Sequence, residues 1–282
     1  WEDAASGGAS AIDGLSDAVS GIANFTRSLI LGHQTTGTLS SASDNTAVGY
    51  GAMDAITSGT VNTALGSASL SANTTASSNT AIGYGALTAA TTGGLNTAVG
   101  RSALLDLTTG TPNVAVGAYA GQSVTTGASN TFIGYQAGDA TTTADNNTAV
   151  GRDALAANTT GARGTAIGAY ALDALTTAAD NTAVGANALG ATTTGDQNTA
   201  VGSTALDANT TGRNNNAFGY AALGANTTGQ KNSAFGLNAL AGNTTGDDNV
   251  AVGNGALFTN NADNNTAVGK NALTLNTTGT QN

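Results

Sequence analysis

The sequence predicts an all-β chain, a parallel β-solenoid wound in 17-residue coils. Three observations predict it. A word of the form NTAVG recurs at a fixed interval, and self-similarity this strict outranks other signals. Large apolar and aromatic residues are too few for one broad core, so a thin core must be repeated. Gly and Asn punctuate the chain every few residues, which weakens any helix, while Thr and Val favour strands.

Taking the Gly of each word as the anchor, fourteen copies end at residues 49, 66, 83, 100, 117, 134, 151, 168, 185, 202, 219, 236, 253 and 269. Twelve of the thirteen steps are 17 residues and the last is 16. The columns are counted from that Gly. Position −1 is always apolar: Val, Ile, Leu65, Phe218 or Phe235. Position −2 is Ala except for Phe132, and −4 is Asn except for Gly164. Position +3 is Ala except for Ser69; +4 is Leu in eleven copies, Met53 in one, and Gly121 and Gly138 in the others.

Each copy is read as two short strands, T-A-V and A-L-x-x-N-T-T, joined by two turns. Neighbouring coils pair as parallel strands about 4.8 Å apart, so fourteen coils give a rod on the order of 65 Å long. Residues −3 and −1 share one strand face and the Ala between them takes the other. The expectation is that the Val and Leu columns form a narrow core, with Phe218 stacked on Phe235 inside it. Small Ala columns would let another sheet approach. The Asn column should form an amide ladder along the axis, and Gly should supply positive φ at the corners. The missing residue falls near Asp263–Asn265, at a turn that can absorb it.

Outward positions carry the charges. Arg101, Arg152 and Lys270 follow the anchor Gly, as do Tyr50, Tyr84, Tyr135 and Tyr220; Asp180, Asp196 and Asp248 lie at the opposite turn. Three segments are expected: a linker and short helix over 1–28, a degenerate capping coil over 29–44, and the solenoid over 45–282. Ile12, Leu15, Val19 and Ile22 step like a short heptad seam opened by Ser10 and Asp13, compatible with a three-stranded bundle or with a cap helix on its own solenoid. Leu29–Leu31 mimics T-A-V 17 residues before the first full word.

Composition excludes several functions. Charged residues are 9% of the chain, against roughly 25% in ordinary globular proteins. The net charge of −10 argues against a nucleic-acid partner. No apolar run approaches the roughly 20 residues of a membrane-inserted helix. No cysteine is present, so disulfides and thiolate metal sites are excluded. The one histidine, His33, leaves nothing on which to build a Ser-His-Asp or His-metal site. Asp139, Asp173 and Asp207 share position +5, but two coils, roughly 9.6 Å, separate successive members, which does not suit paired-carboxylate hydrolysis. The calcium-binding nonapeptide G-G-x-G-x-D is absent. The N-x-T words are formal glycosylation sequons whose regularity coil geometry already explains. The reading is a non-enzyme without catalytic residues, cofactor or metal.

The words NTAVGYGAMDAITSGTVNTALG (45–66) and NTAVGxxALxxNTTG closely resemble repeats of tail-fibre proteins of tailed phages, especially marine ones. AIDGLSDAV followed by NFTRSLILGHQTTGTLSSASDNTAVG looks like the lead-in to such repeats, and the likeness covers residues 11–282. More loosely, the words are similar to the head repeats of YadA-like trimeric autotransporter adhesins, whose coil is shorter than 17 residues. This resemblance implies a left-handed β-roll, a parallel homotrimer, and partnership with other tail or fibre proteins in a virion tail fibre. It makes the chain a shaft that holds a host-recognition tip away from the virion, with the array expected to continue past Asn282. The alternative is an adhesin head on a bacterial surface that binds a host-cell glycan or protein directly, with Tyr50, Tyr84, Tyr135 and Tyr220 as candidate contacts. Ice binding by the adjacent Thr pairs is disfavoured, because neighbouring strand residues point to opposite faces.

Overall fold

A computed structural model describes residues 18–20, 25–32 and 39–282. The chain divides into two compact units, residues 1–130 and 131–282. Each is a parallel β-solenoid. In the first unit the strands Leu29–Leu31, Thr46–Val48, Thr63–Leu65, Thr80–Ile82, Thr97–Val99 and Val114–Val116 pair in parallel, each residue opposite its equivalent 17 positions on. The second repeats the pattern from Thr131–Ile133 to Val250–Val252, and its final step to Thr266–Val268 is 16 residues. The degenerate segment therefore joins the first unit's sheet in register through Leu29–Leu31.

Each coil has one strand, not two. T-A-V is a strand, whereas A-L-x-x-N-T-T runs as a chain of turns. The reason is backbone handedness. Position +4 is left-handed in every full coil, at Leu206 (φ 52°) for example, and so is +2, as at Thr204 (φ 54°). The turn segment still bonds from coil to coil as a strand would: Leu172 N donates to the Ala188 carbonyl at 3.1 Å, and Ala174 N to that of Gly190 at 3.2 Å. Positive φ is thus not confined to glycine.

The strand also faces the other way round. The −2 residue, Ala in thirteen full coils and Phe132 in one, is buried in each, while −3 and −1 point outward. The interior is built from Ala at −2 and +3, Leu at +4, and a mixed column at +7. Wherever +4 is Leu in the fourteen copies, the inward residue at −2 is Ala, so the interior there holds only a methyl from the strand. Phe218 and Phe235 do stack, ring centroids 5.0 Å apart and 5° from parallel, but on the outer face, where they remain 37% and 41% exposed.

The exceptions in the columns fit one another. Phe132 fills the interior at −2 in the coil where +4 is Gly138. A Cβ on Gly138 would press into the Phe132 ring, 2.7 Å from Cζ. One large side chain and one absent side chain occupy the space of the usual pair.

Asn at −4 forms the expected ladder. Asn198 Nδ2 donates to Asn181 Oδ1 at 3.2 Å and across its own coil to the Gly212 carbonyl at 2.9 Å; its backbone N–H also reaches Asn181 Oδ1, at 3.0 Å. One amide thus binds coil to coil and closes the coil. Where Asn is missing, Gly164 N still donates to Asn147 Oδ1 at 2.8 Å. A second buried Asn ladder, at +7, runs through Asn209, Asn226 and Asn243 with bonds of 3.0 and 3.1 Å. The anchor glycines hold φ near +140° and touch the next coil. A Cβ on Gly151 would lie 2.6 Å from the Gly168 carbonyl carbon, so no side chain fits.

The shortened coil is repaired at its turn. Elsewhere the Thr at +8 donates to the main-chain carbonyl of its equivalent, as Thr227 N does to Thr244 O at 2.8 Å. In the short coil the side-chain Oδ1 of Asn261 stands in, accepting from Thr244 N at 3.0 Å and Thr245 N at 2.9 Å.

A helical seam through Val19 is not formed. Ala18–Ser20 is a strand antiparallel to Leu29–Leu31. Ser10, Ile12, Asp13, Leu15, Ile22 and His33 lie outside the described residues.

Candidate interaction surfaces

The fold leaves three kinds of outward strip. The strand face carries the −3 and −1 columns. Its −1 residues are half-buried to exposed, up to Leu65 at 49% in the first unit and Ile167 at 41% over most of the second. No Asp, Glu, Lys or Arg occupies either column in any of the fourteen copies.

The second strip is the corner after the anchor Gly. Tyr50 and Tyr84 in the first unit and Tyr135 and Tyr220 in the second are all exposed there, Tyr50 at 82%. No two of the four occupy consecutive coils. The structure adds partners at +2 that the sequence reading missed. The Arg101 guanidinium lies over the Tyr119 ring and that of Arg152 over Tyr170, each 5.5 Å from the centroid. Both pairs are 18 residues apart in sequence, the step from +1 of one coil to +2 of the next, so that spacing was the available signal. Arg152 also binds Asp153, Nε to Oδ2 at 2.9 Å.

The third strip lies at the opposite turn, where charges pair across coils. Arg163 grips Asp180 through two bonds of 2.6 and 2.8 Å, and Arg27 grips Asp44 likewise at 2.5 and 2.6 Å. Arg213 reaches Asp196 at 3.4 Å. The Arg163 hydrogen bond holds the Asp180 carboxyl below the usual carboxylate range.

The +5 carboxylates are closer than two-coil spacing suggests. Asp173 and Asp207 lean toward each other over Gly190. A Cβ on Gly190 would stand 2.9 Å from Asp207 Oδ1 and 3.5 Å from Asp173 Oδ1. Partial burial raises the pKa of both, and the Asp207 charge adds to the rise at Asp173. Among the described residues, no group of three or more His, Cys, Asp or Glu could hold a metal ion, and no helix is long and apolar enough to cross a membrane.

No family model matches the chain, and no characterised protein or solved structure is significantly similar to it.

Proposed function

We propose that this chain is a structural shaft, one of three parallel copies in a phage tail fibre, holding a host-recognition tip away from the virion. The observation that carries the reading is the uniformity of the coils. Fold-determining groups repeat with few exceptions, Asn at −4 and Ala at −2 in thirteen of fourteen copies, the anchor Gly in all and Leu at +4 in eleven, while the outward groups vary from coil to coil. A chain built so changes its reach by whole coils and nothing else. The resemblance of the NTAVGxxALxxNTTG words to phage tail-fibre repeats supplies the setting, and with it a left-handed coil and partnership with other fibre proteins. Association is supported by how little each coil encloses, and the number three comes from the resemblance. One Leu and two Ala per coil are thin compensation for ordering 17 residues at about 1–2 kcal/mol each. No catalytic residue or cofactor is assigned.

A second reading, a surface adhesin that binds host glycan or protein, has one observation in its favour. Tyr135, Arg152 and Tyr170 stand on consecutive coils at one exposed corner, and aromatic faces beside a cation offer contact area with polar handles.

In-phase deletions decide between the two. Whole coils are removed from different parts of the array and attachment to the natural host is measured. The shaft reading expects folded fibres that keep attachment wherever the deletion falls. Loss of attachment confined to deletions around residues 134–170 would replace it with the adhesin.

A further inference from the structure

We infer that copies of this chain meet through the outward strand face, the −3 and −1 columns, and that they meet in register, each coil against the same coil of its neighbours. This rests on the three-chain reading above and adds to it the face and the alignment.

Four observations carry the inference. The face is free of charge in all fourteen copies, whereas the corner after the anchor Gly, the +5 and +6 positions and the opposite turn carry all the charges of the array. Depletion of charge marks the centre of an interface. Its apolar side chains are also large for a surface meant for water, and two of them are stacked phenylalanines.

The two columns vary together. Position −3 is Thr or Val in twelve copies; the exceptions are Asn216 and Ser233. These are the same two coils that carry Phe218 and Phe235 at −1. A solvated face has no reason to give up its β-branched residue where its neighbour grows. A face packed against another surface does, because a close-packed layer limits the volume of each row.

The area is adequate. An aromatic side chain offers roughly 150–250 Å² to burial, so a Phe about 40% exposed leaves on the order of 80 Å², and a Val rather less. The nine coils of the second unit then present on the order of 500 Å² from the −1 column, before Thr is added. A standard interface takes about 800 Å² from each partner.

The occupant is fixed by periodicity. The face repeats once per coil, at the spacing of parallel strands, about 4.8 Å. A globular partner would match a few rows of it. A second copy of this chain matches every row, and only in register do both Phe rows meet Phe rows.

The chain has no cysteine, so a single introduced thiol reports one position. Four variants are compared: Val150→Cys and Val201→Cys on the face, and Thr177→Cys and Thr211→Cys at the exposed turn. Mass is measured by sedimentation before mild oxidation, and cross-linked pairs are then counted on non-reducing gels. The expected result is an unchanged three-chain mass, with pairing at 150 and 201 approaching two chains in every three, the most that one thiol per chain allows in a trimer, and little at 177 and 211. Two outward positions are used so that poor folding of one leaves the other to decide.

Register is read by co-refolding Val150→Cys with Val201→Cys. The two positions are three coils, roughly 14 Å, apart, beyond the Cα separation of about 7 Å that a disulfide spans. Only like-with-like links should form, and mixed links would overturn the alignment. A three-chain mass with links at 177 or 211 and none at 150 or 201 would overturn the face and leave the three-chain reading standing. A 27.0 kDa species throughout would remove that reading itself.

Discussion

Leu206 is fully buried, yet its backbone is left-handed at φ 52°. The conformation costs about 1–2 kcal/mol, and burying the side chain returns about 1.5–3 kcal/mol. The leucine column therefore persists by a narrow margin, and this inverts a familiar order. In most settings Gly is worse than Ala, but at +4 Leu206→Gly should destabilise less than Leu206→Ala, because Gly relieves the backbone that Ala leaves strained. Leu206→Ala should cost about 2–5 kcal/mol, and Arg152→Ser should be nearly neutral; thermal denaturation of the three variants checks the order. Gly121 and Gly138 already occupy this column. Charge gives a second test at this scale. Partial burial raises the Asp173 and Asp207 pKa values above the ordinary 3.8, so the folded state binds protons more tightly than the unfolded chain. Their burden on stability is absent below that value and grows as pH rises through the raised pKa. Asp180 is lowered from 3.8, so its contribution is full above that value and is lost on going below it. Asp173→Asn should raise the melting temperature at pH 7 and leave it little changed at pH 3. Asp180→Asn should lower it at pH 7, slightly because the pair is exposed. A gain from Asp173→Asn that is equal at both pH values would contradict the assignment. Which residues are outward and charged was legible in the sequence, since charges cannot be stacked in so narrow a core. The left-handed leucines were not, because nothing in the composition of A-L-x-x distinguishes them from a strand.

The coil is the element of this molecule, and its columns are coupled in pairs. Phe132 and Gly138 show the coupling most clearly. Phe132→Ala alone should leave a cavity and cost about 3–5 kcal/mol. Gly138→Leu alone should drive a side chain into the ring, with a comparable or larger loss. The double variant restores the consensus coil and should approach the parent, so a cycle of denaturant melts should give a coupling energy of several kcal/mol. Additive losses would mean that the two exceptions are unrelated. Removal of two whole coils, Asn181 to Asn214, should preserve the fold, since Asn215 then takes the place of Asn181 in the Asn ladder and Leu223 that of Leu189 in the Leu column. Removing nine residues sets turns against strands and should abolish it; circular dichroism separates the two. The period, the Asn ladder, the inward Leu column and the tolerant turn at Asp263 could be read from spacing alone, because each is a statement about position modulo 17. The inward face of T-A-V could not. Period-two alternation separates Ala from Thr and Val but does not say which side is inside, and hydrophobicity favours Val. Coil width decides it, and width is a property of the closed turn. Val19 misled for a related reason: a single apolar residue fits a strand as well as the face of a helix.

At the scale of the whole molecule, the outward Val column and the thin interior point the same way. What a single chain cannot bury inside it presents outside, in rows that a second and third copy can cover. The shaft reading, the trimer and the in-register face therefore stand in sequence, and the most direct test addresses the middle term. Sedimentation equilibrium of the native chain, with its fold verified in the same sample, should return three times 27.0 kDa. The ratio should hold on dilution until the fold is lost with it, because subunits with so little interior should not outlive their assembly. A folded, thermally stable species of 27.0 kDa would contradict the account.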